Sequence, residues 1–267
     1  MIKRILFAIP ALLLLVSIVW LHGLYAIIVV ALAGVLCVHE LMSAASGVSK
    51  PLRVAGYAYA ALLYPAYEFA GGLAGVAALL TLGVMVVFAV LVFSGRDAAD
   101  GLFTVLPMVY PGLLFAFLFA ILCAPEPMAS RFLLIVVFGS AIVTDSFAYF
   151  CGRLLGRHKL AETISPKKTV EGAIGGMLFG TAGVYVLGAL LQPLFGVNVN
   201  ALWYLPLGLV LSMLAQVGDL AASAVKRRFG IKDFGRIMGE HGGAMDRLDS
   251  VLFIAPIVFA FYTIIAA

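Results

Sequence analysis

A polar segment near the C-terminus combines basic, acidic and glycine residues between two apolar stretches. It begins at Ser223 and ends at Asp249, with the triplet His-Gly-Gly in between. Lysine and arginine bind phosphate groups, glycines let a backbone approach an anion closely, and carboxylates bind Mg²⁺. The other candidate residues are Lys226, Arg227, Lys232, His241, Gly242, Gly243, Asp246 and Arg247. Because the flanks are apolar enough to cross a bilayer, the segment indicates chemistry on a phosphorylated lipid at a membrane surface.

A second polar segment reads SPKKTVEG and runs from Ser165 to Gly172. We expect Pro166 to form a turn, and Lys167 and Lys168 to precede a helix that begins near residue 169. Helix N-termini and lysines both favour anions. On charge alone the segment fits a bound phosphate or a patch for anionic lipid head groups equally well. The Ser-Pro-Lys context and the first polar segment favour the phosphate.

Carboxylates also occur inside apolar segments, where one acidic side chain costs roughly 2.5–3.5 kcal/mol on insertion scales. Asp219 belongs to a stripe whose spacing of four and three residues places it on one helix face. Asp246 and Asp249, three residues apart, share a face of the next helix, and Asp145 lies on an earlier one. The stripe consists of Ser212, Gln216, Asp219, Ser223 and Lys226. Three helices are therefore expected to bring carboxylates to one level.

These acids allow two interpretations. They neutralise nearby lysines and arginines as structural ion pairs, or their oxygens hold Mg²⁺, whose coordination substrate phosphates usually complete. The adjoining glycine-rich segment favours the second interpretation. His241 invites the role of general base, but a phosphomonoester has its second pKa near ~6 and needs none. We therefore expect His241 to bind a phosphate or to steady its loop.

The composition predicts an all-α, polytopic membrane protein, because 64% of the 267 residues are hydrophobic and 11% are charged. A spanning helix needs roughly 20 mostly apolar residues. Nine segments qualify: 5–22, 24–42, 53–70, 71–93, 104–123, 131–151, 172–193, 201–222 and 248–267. The third is the weakest, since it carries four tyrosines and Glu68. We predict one integral membrane domain, with about five helices in residues 1–130 and about four in a catalytic region, residues 131–267.

The basic residues support nine helices. With that number, all of the 17 lysines and arginines except Arg131 fall on one side of the membrane. Cytoplasmic loops carry the excess of positive charge, so the N-terminus is expected inside and the C-terminus outside. Without the span at 53–70, the two most basic loops would move to the other side. The three cysteines match neither a zinc site nor a disulfide framework, and Gly172, Gly176 and Gly180 predict close helix packing.

The polar residues resemble the signature of the phosphatidate cytidylyltransferase family, also called CDP-diacylglycerol synthases. The resemblance covers Ser223 to Asp249, the dipeptide Gly218-Asp219, Ser165 to Gly172, and DSFAYFCG at 145–152. It is detailed in the C-terminal half, whereas the first 130 residues match only as apolar spans. One departure is Gly239-Glu240, where family members usually have Pro-Gly.

The resemblance implies that CTP and phosphatidic acid react to give CDP-diacylglycerol and pyrophosphate at the cytoplasmic face of the inner membrane, with no nucleic acid involved. It also implies a homodimer. Asp219 and Asp246 would hold Mg²⁺, Asp249 would support that ion or a second cation, and Asp145 would orient a basic residue or a metal-bound water. Substrate phosphates would be bound by Ser165, Lys167, Lys168, Ser223, Lys226, Arg227, Lys232, His241, Gly242, Gly243 and Arg247.

Two other classes of function remain. One is a related membrane enzyme that uses CTP on another lipid, such as a polyprenol or phytol kinase or an archaeal ether-lipid cytidylyltransferase. The other is an ion-coupled transporter with intramembrane carboxylates. The sequence lacks a repeated pair of broken helices, and its charges gather at one face, so a transporter is the weaker alternative. No short run of aspartates typical of the CDP-alcohol phosphotransferases occurs.

Overall fold

A computed structural model of the protein describes residues 2–237 and 242–266, and helices make up most of them. The chain forms two compact units. The first unit comprises Met1–Leu122 and Arg228–Arg247, and the second comprises Cys123–Arg227 and Leu248–Ala267. The segment Arg228–Arg247, which contains most of the polar segment Ser223–Asp249, therefore groups with the N-terminal helices.

The first unit is built from helices that coincide with the apolar runs of the sequence. Glycines interrupt them: Gly71 and Gly72 adopt positive φ angles of 92° and 68° between the third helix and the fourth. Asp97 starts the fifth helix by accepting a hydrogen bond of 2.7 Å from the amide of Ala99. The helices are α1 (Ile2–Leu21), α2 (Gly23–Ala45), α3 (Arg53–Phe69), α4 (Leu73–Ser94), α5 (Ala98–Pro107) and α6 (Leu114–Leu122).

The core of the first unit includes a close contact between α2 and α3. Val38 and Met42 of α2 are buried against Ala60 of α3. Gly56 permits this approach, because a Cβ there would lie 3.0 Å from Cε of Met42 and closer still to its sulfur. The packing fixes the C-terminal half of α2, which carries a buried glutamate, Glu40.

The second unit contains longer helices and one β-hairpin, which the sequence did not indicate. The antiparallel strands pair Lys159 with Thr169 and Ala161 with Ser165. The helix α9 ends, and α10 begins, in residues that group with the first unit. The elements are α7 (Pro127–Leu155), β1 (Lys159–Ala161), β2 (Ser165–Thr169), α8 (Val170–Leu191), α9 (Tyr204–Arg228) and α10 (Met245–Phe261).

The glycine stripe of α8 packs directly on α7. A Cβ on Gly172 would lie 2.6 Å from the carbonyl oxygen of Ala148, and one on Gly176 would lie 3.0 Å from that of Thr144. A Cβ on Gly180 would meet the hydroxyl of Thr144 at 2.5 Å. The prediction that these glycines serve close helix packing is confirmed.

Replacing Gly176 with valine is expected to lower the free energy of unfolding by about 2–3 kcal/mol, because its side chain would overlap backbone and side-chain atoms of α7. Thermal unfolding in detergent measures this change. Gly47 offers a matched control, since a Cβ there would meet no atom within 4 Å. Equal melting temperatures for Gly176→Val and Gly47→Ala would contradict the packing role.

The lengths of the helices agree with a polytopic membrane protein. Within the described part of the chain, 7 helical segments are long and apolar enough to cross a bilayer, and Leu12–Leu21 adds a shorter apolar one. The all-α, polytopic prediction is confirmed. The helix α3 has 17 residues and includes Pro65, so the count of nine spans and the orientation of the termini stay predictions. These seven candidate spans are Gly23–Ala45, Leu73–Ser94, Ala98–Leu122, Pro127–Leu155, Val170–Phe195, Ala201–Arg228 and Met245–Ile265.

Candidate active site

An ion pair joins two residues that the sequence singled out separately. Nζ of Lys168, on β2, lies 2.6 Å from Oδ2 of Asp219, on α9. Their side chains are 26% and 32% exposed, so water and a ligand can reach the pair. The hydroxyl of Ser223, one helical turn further along α9, donates to Oδ1 of Asp219 over 3.4 Å. Both carboxylate oxygens of Asp219 thus have partners from the predicted set.

The hairpin places Lys168 immediately before the start of α8. Thr169 caps this helix, and its Oγ1 accepts a hydrogen bond of 3.1 Å from the amide of Gly172. The prediction of a helix beginning near residue 169 is confirmed. The expected turn at Pro166 is wrong, because Pro166 lies within β2 and the turn comprises residues 162–164. Each strand of a two-stranded sheet has a free edge, where the missing N–H of a proline costs no ladder hydrogen bond.

Glu171 and Arg227 hold the hairpin at its two ends. The carboxylate of Glu171 accepts hydrogen bonds from the amides of Arg157 and His158 at 3.1 and 3.2 Å, and contacts Nδ1 of His158 at 2.7 Å. At the turn, Nε of Arg227 donates to the carbonyl oxygen of Ile164 over 3.2 Å. Arg227 was predicted to bind phosphate; at least one of its donors instead orders the hairpin that carries Lys168.

A buried carboxylate, Asp249, lies near the other charges of the second unit. Asp249 of α10 is 7% exposed and accepts a hydrogen bond of 2.8 Å from the amide of Ser250. The charged groups near it are the carboxylates of Asp219 and Asp145 and the ammonium group of Lys226. Lys226 is itself buried, and Asp145 is exposed on α7. The second unit therefore contains three of the four predicted carboxylates, with Lys168 bound to Asp219 and Lys226 near Asp249.

The backbones of α9 and α10 come into contact next to these carboxylates. Gly218 precedes Asp219, and a Cβ on it would lie 2.5 Å from the carbonyl oxygen of Asp249. One turn earlier on α9, the carbonyl oxygen of Ala215 accepts a hydrogen bond of 3.0 Å from the hydroxyl of Ser250. Only glycine fits at position 218. The backbone contact also fixes the position of Asp219 along α9 relative to Asp249 on α10.

Carboxylate oxygens are the donors that Mg²⁺ prefers, so the chemistry of this set fits that ion. In residues 2–237 and 242–266, however, no three His, Cys, Asp or Glu side chains form a group that could hold a metal. Lys168 forms an ion pair with Asp219, which agrees with the interpretation of these acids as structural ion-pair partners. A cation at Asp219 would have to compete with this lysine.

The described part of the glycine-rich segment is ordered by Asp246 within the first unit. Oδ2 of Asp246 accepts hydrogen bonds from the amides of Phe234 and Gly243, at 2.8 and 2.9 Å. Gly242 has a φ of 82°, a conformation that favours glycine. His241 and the atypical Gly239-Glu240 lie outside the described residues. Asp246, predicted as a metal ligand, thus also binds the backbone of its own loop.

The remaining predicted residues lie at more open positions. On β2, Lys167 is exposed and Ser165 is half-buried. In the first unit, Lys232 and Arg247 are exposed. All four are accessible to a ligand, as phosphate-binding residues must be.

Sequence reasoning missed Glu40, which contacts the start of α10 in the first unit. Its side chain is 3% exposed, and its two oxygens accept hydrogen bonds from the amides of Ala244 and Met245 at 3.0 and 2.8 Å. A signal was available, because an ionisable residue in an apolar span costs roughly 2.5–3.5 kcal/mol and suggests a function. The resemblance did not indicate Glu40, because it covers the first 130 residues only as apolar spans.

A sequence model of the cytidylyltransferase family matches residues 2–265, nearly the whole chain. The chain belongs to the cytidylyltransferase family. The chain is similar to the phosphatidate cytidylyltransferase of Staphylococcus saprophyticus, with 41% identity over 170 residues. It is also similar to the phosphatidate cytidylyltransferases of Staphylococcus epidermidis and Staphylococcus aureus, with 39% identity over 168 residues in each case. Each alignment covers 62% of this chain and spans 59% of the length of the staphylococcal protein.

Proposed function

We propose that this protein is a phosphatidate cytidylyltransferase, which transfers CMP from CTP to phosphatidic acid and releases pyrophosphate. Its membership of the cytidylyltransferase family and its similarity to the staphylococcal enzymes support the proposal. The observation that carries it is the 2.6 Å contact between Lys168 and Asp219. This contact joins Lys168, at the end of β2 and proposed to bind phosphate, to Asp219, within α9 and proposed to bind a cation.

In the proposed reaction, an oxygen of the lipid phosphate attacks the α-phosphorus of CTP. The bond from that phosphorus to the β-phosphate oxygen breaks, and pyrophosphate leaves with the electron pair. A phosphomonoester has its second pKa near ~6, so the lipid phosphate is mostly dianionic at neutral pH and needs no general base. The task of the protein is to gather two anionic substrates and to stabilise negative charge in the transition state.

The lysines are proposed to bind the reacting phosphates. A phosphate oxygen can replace the carboxylate of Asp219 as the partner of Lys168, whose flexible side chain is partly exposed. Ser223 lies within reach of the same place, and Asp145 is assigned to orienting a basic residue. The other residues proposed to bind phosphate are Ser165, Lys167, Lys226, Arg227, Lys232, His241, Gly242, Gly243 and Arg247.

We also propose that the reaction requires Mg²⁺, with Asp219 and Asp249 as ligands. The closeness of their helices supports the assignment, because Gly218 beside Asp219 meets the carbonyl oxygen of Asp249, and carboxylate oxygens are the donors that Mg²⁺ prefers. Bound there, Mg²⁺ supplies positive charge that offsets the charge developing on the leaving pyrophosphate. The assignment of Asp246 to the same ion rests on the sequence alone.

The test is an assay of the purified chain in detergent with α-labelled CTP and phosphatidic acid, with Mg²⁺ and with EDTA. We expect a labelled CDP-lipid and one pyrophosphate per product, with less product in EDTA. Release of CDP and transfer of the γ-phosphate would instead identify a lipid kinase. Absence of any lipid product from a folded sample would overturn the proposal.

The basic loops support a cytoplasmic active site, and we propose the inner membrane as its location. Their positive charge would also attract two anionic substrates. A homodimer is proposed from the resemblance of the signature. Accessibility of a cysteine introduced at Lys167 to a membrane-impermeant reagent, in intact cells and in inverted vesicles, tests the orientation.

A further inference from the structure

Glu40 contacts the first residues of α10 across 204 positions of the sequence. Its Oε1 accepts a hydrogen bond from the amide of Ala244, and its Oε2 accepts one from the amide of Met245. The first amides of a helix have no partners within the helix, and anions are favoured there. Residues 242–244, which directly precede the helix, are Gly-Gly-Ala, and none of them has a side chain that could cap these amides. The carboxylate of Glu40 performs that function from a different helix.

Two glycines of the polar segment pack against the same carboxylate. A Cβ on Gly235 would lie 2.8 Å from Cδ of Glu40 and would overlap its Oε1. A Cβ on Gly243 would overlap both of its oxygens. Neither glycine has a positive φ, so backbone conformation does not require them. The space that Glu40 occupies is the reason for glycine at both positions.

Glu40 and Asp246 together bind backbone amides in both described parts of the loop, at Phe234 and at residues 243–245. Asp246 binds the amides of Phe234 and Gly243, and Glu40 binds the next two amides. Four backbone N–H groups are thus fixed by two carboxylates. Gly242, Gly243 and Asp246, which the proposed function assigns to substrate or metal, lie among or next to these amides.

We propose that Glu40 is a positioning residue for cytidylyl transfer. It holds the backbone from Gly242 to Met245 so that the loop meets the reacting phosphates in a fixed conformation. The proposal rests on the proposed function, and it assigns Glu40 to positioning because its buried carboxylate is occupied by two backbone amides. A small displacement of groups around a reacting centre can cost about a hundredfold in rate, so an anchor of this kind has a large effect on turnover.

The first experiment compares Glu40→Ala and Glu40→Gln with the wild-type chain in lipid nanodiscs. In Glu40→Ala, we expect the amides of Ala244 and Met245 to exchange hydrogen at least about tenfold faster. We expect kcat to fall about fiftyfold while KM for CTP changes less than about threefold, because alignment is lost rather than binding. The amide of glutamine keeps one acceptor, so the exchange rates and kcat of Glu40→Gln are expected to lie between those of the wild-type chain and those of Glu40→Ala.

A matched control uses another buried carboxylate of the same unit that binds a backbone amide. Asp100 is 8% exposed and accepts a hydrogen bond of 2.6 Å from the amide of Lys50. Asp100→Asn is expected to leave exchange at residues 244 and 245 unchanged. If exchange there rises equally in Asp100→Asn, Glu40 acts only through general stability, and the proposal is wrong.

A double-mutant cycle tests the contact between Glu40 and Gly235. Gly235→Ala is expected to lower kcat about tenfold in the wild-type background, because its methyl group displaces the carboxylate. In the Glu40→Ala background the same change should cost less than about twofold, since the space has been vacated. Equal costs in both backgrounds would overturn the anchoring role.

The two proposals fail in different ways. If the wild-type chain forms no CDP-lipid, the proposed function is wrong, and the role of Glu40 in that reaction falls with it. If the wild-type chain is active but Glu40→Ala keeps slow exchange and full turnover, only the positioning role is wrong.

Discussion

Replacing Asp219 with asparagine is expected to lower kcat for cytidylyl transfer by about a thousandfold or more. Asparagine keeps the size of the side chain but removes its negative charge. That charge is the partner of Lys168 at 2.6 Å, and in the proposed reaction it would help to hold Mg²⁺. The measurement is initial rate with saturating CTP and phosphatidic acid.

Folding must be separated from chemistry in this experiment. The ion pair of Asp219 is partly exposed, and pairs of that kind contribute about 0–1 kcal/mol, so the melting temperature should change little. Glu126→Gln is a matched control in the same unit, because Glu126 is exposed at the other end of α7, roughly 28 Å along that helix from Asp145. Turnover near the wild-type rate in folded Asp219→Asn would refute both the metal assignment and the central role of the pair.

The second large effect is expected at Lys168. Lys168→Met should lower kcat/KM for CTP about three-hundredfold, because a cation that binds a phosphate is lost and Asp219 remains as an unpaired charge. Lys168→Arg should recover part of the loss, since arginine keeps the charge but not the shape. Steady-state kinetics with varied CTP measure both variants.

The hairpin provides the control for Lys168. Lys159, on the neighbouring strand, donates to the carbonyl oxygen of Pro166 over 2.8 Å. Lys159→Met removes one positive charge from the same hairpin and should change kcat/KM by less than about threefold, as expected for an exposed hydrogen bond. The double variant Lys168→Met, Asp219→Asn should have a kcat/KM no lower than that of the less active single variant, because the effects of residues that act as a unit are not additive. Fully multiplicative losses would show that the two side chains act separately.

The sequence predicted the helices well because their signal is local. Apolar runs of about 20 residues reveal spanning helices without knowledge of their neighbours. The same holds for the start of α8 at Thr169 and for the glycines that pack on α7, whose spacing is visible in one segment. The hairpin was missed because its strands have 3 and 5 residues, too few for a periodic pattern.

The contacts of the site depend on the fold and were therefore less accessible. Residue types and spacing made Lys168 and Asp219 candidate site residues, but did not predict that they bind each other across 51 positions. Glu40 shows the limit more clearly, since its partners follow it by more than 200 positions. An acid in an apolar span indicates that a polar partner exists, but only tertiary structure identifies that partner.

The backbone contact at Gly218 has a consequence for redesign. The helices α9 and α10 touch through main-chain atoms beside Asp219 and Asp249. A change of side-chain rotamer therefore cannot increase the distance between the two helix backbones at these residues. Variants selected to accept a bulkier nucleotide should therefore retain Gly218 and accumulate their substitutions at Pro166 and Lys167 of the hairpin, whose side chains face solvent.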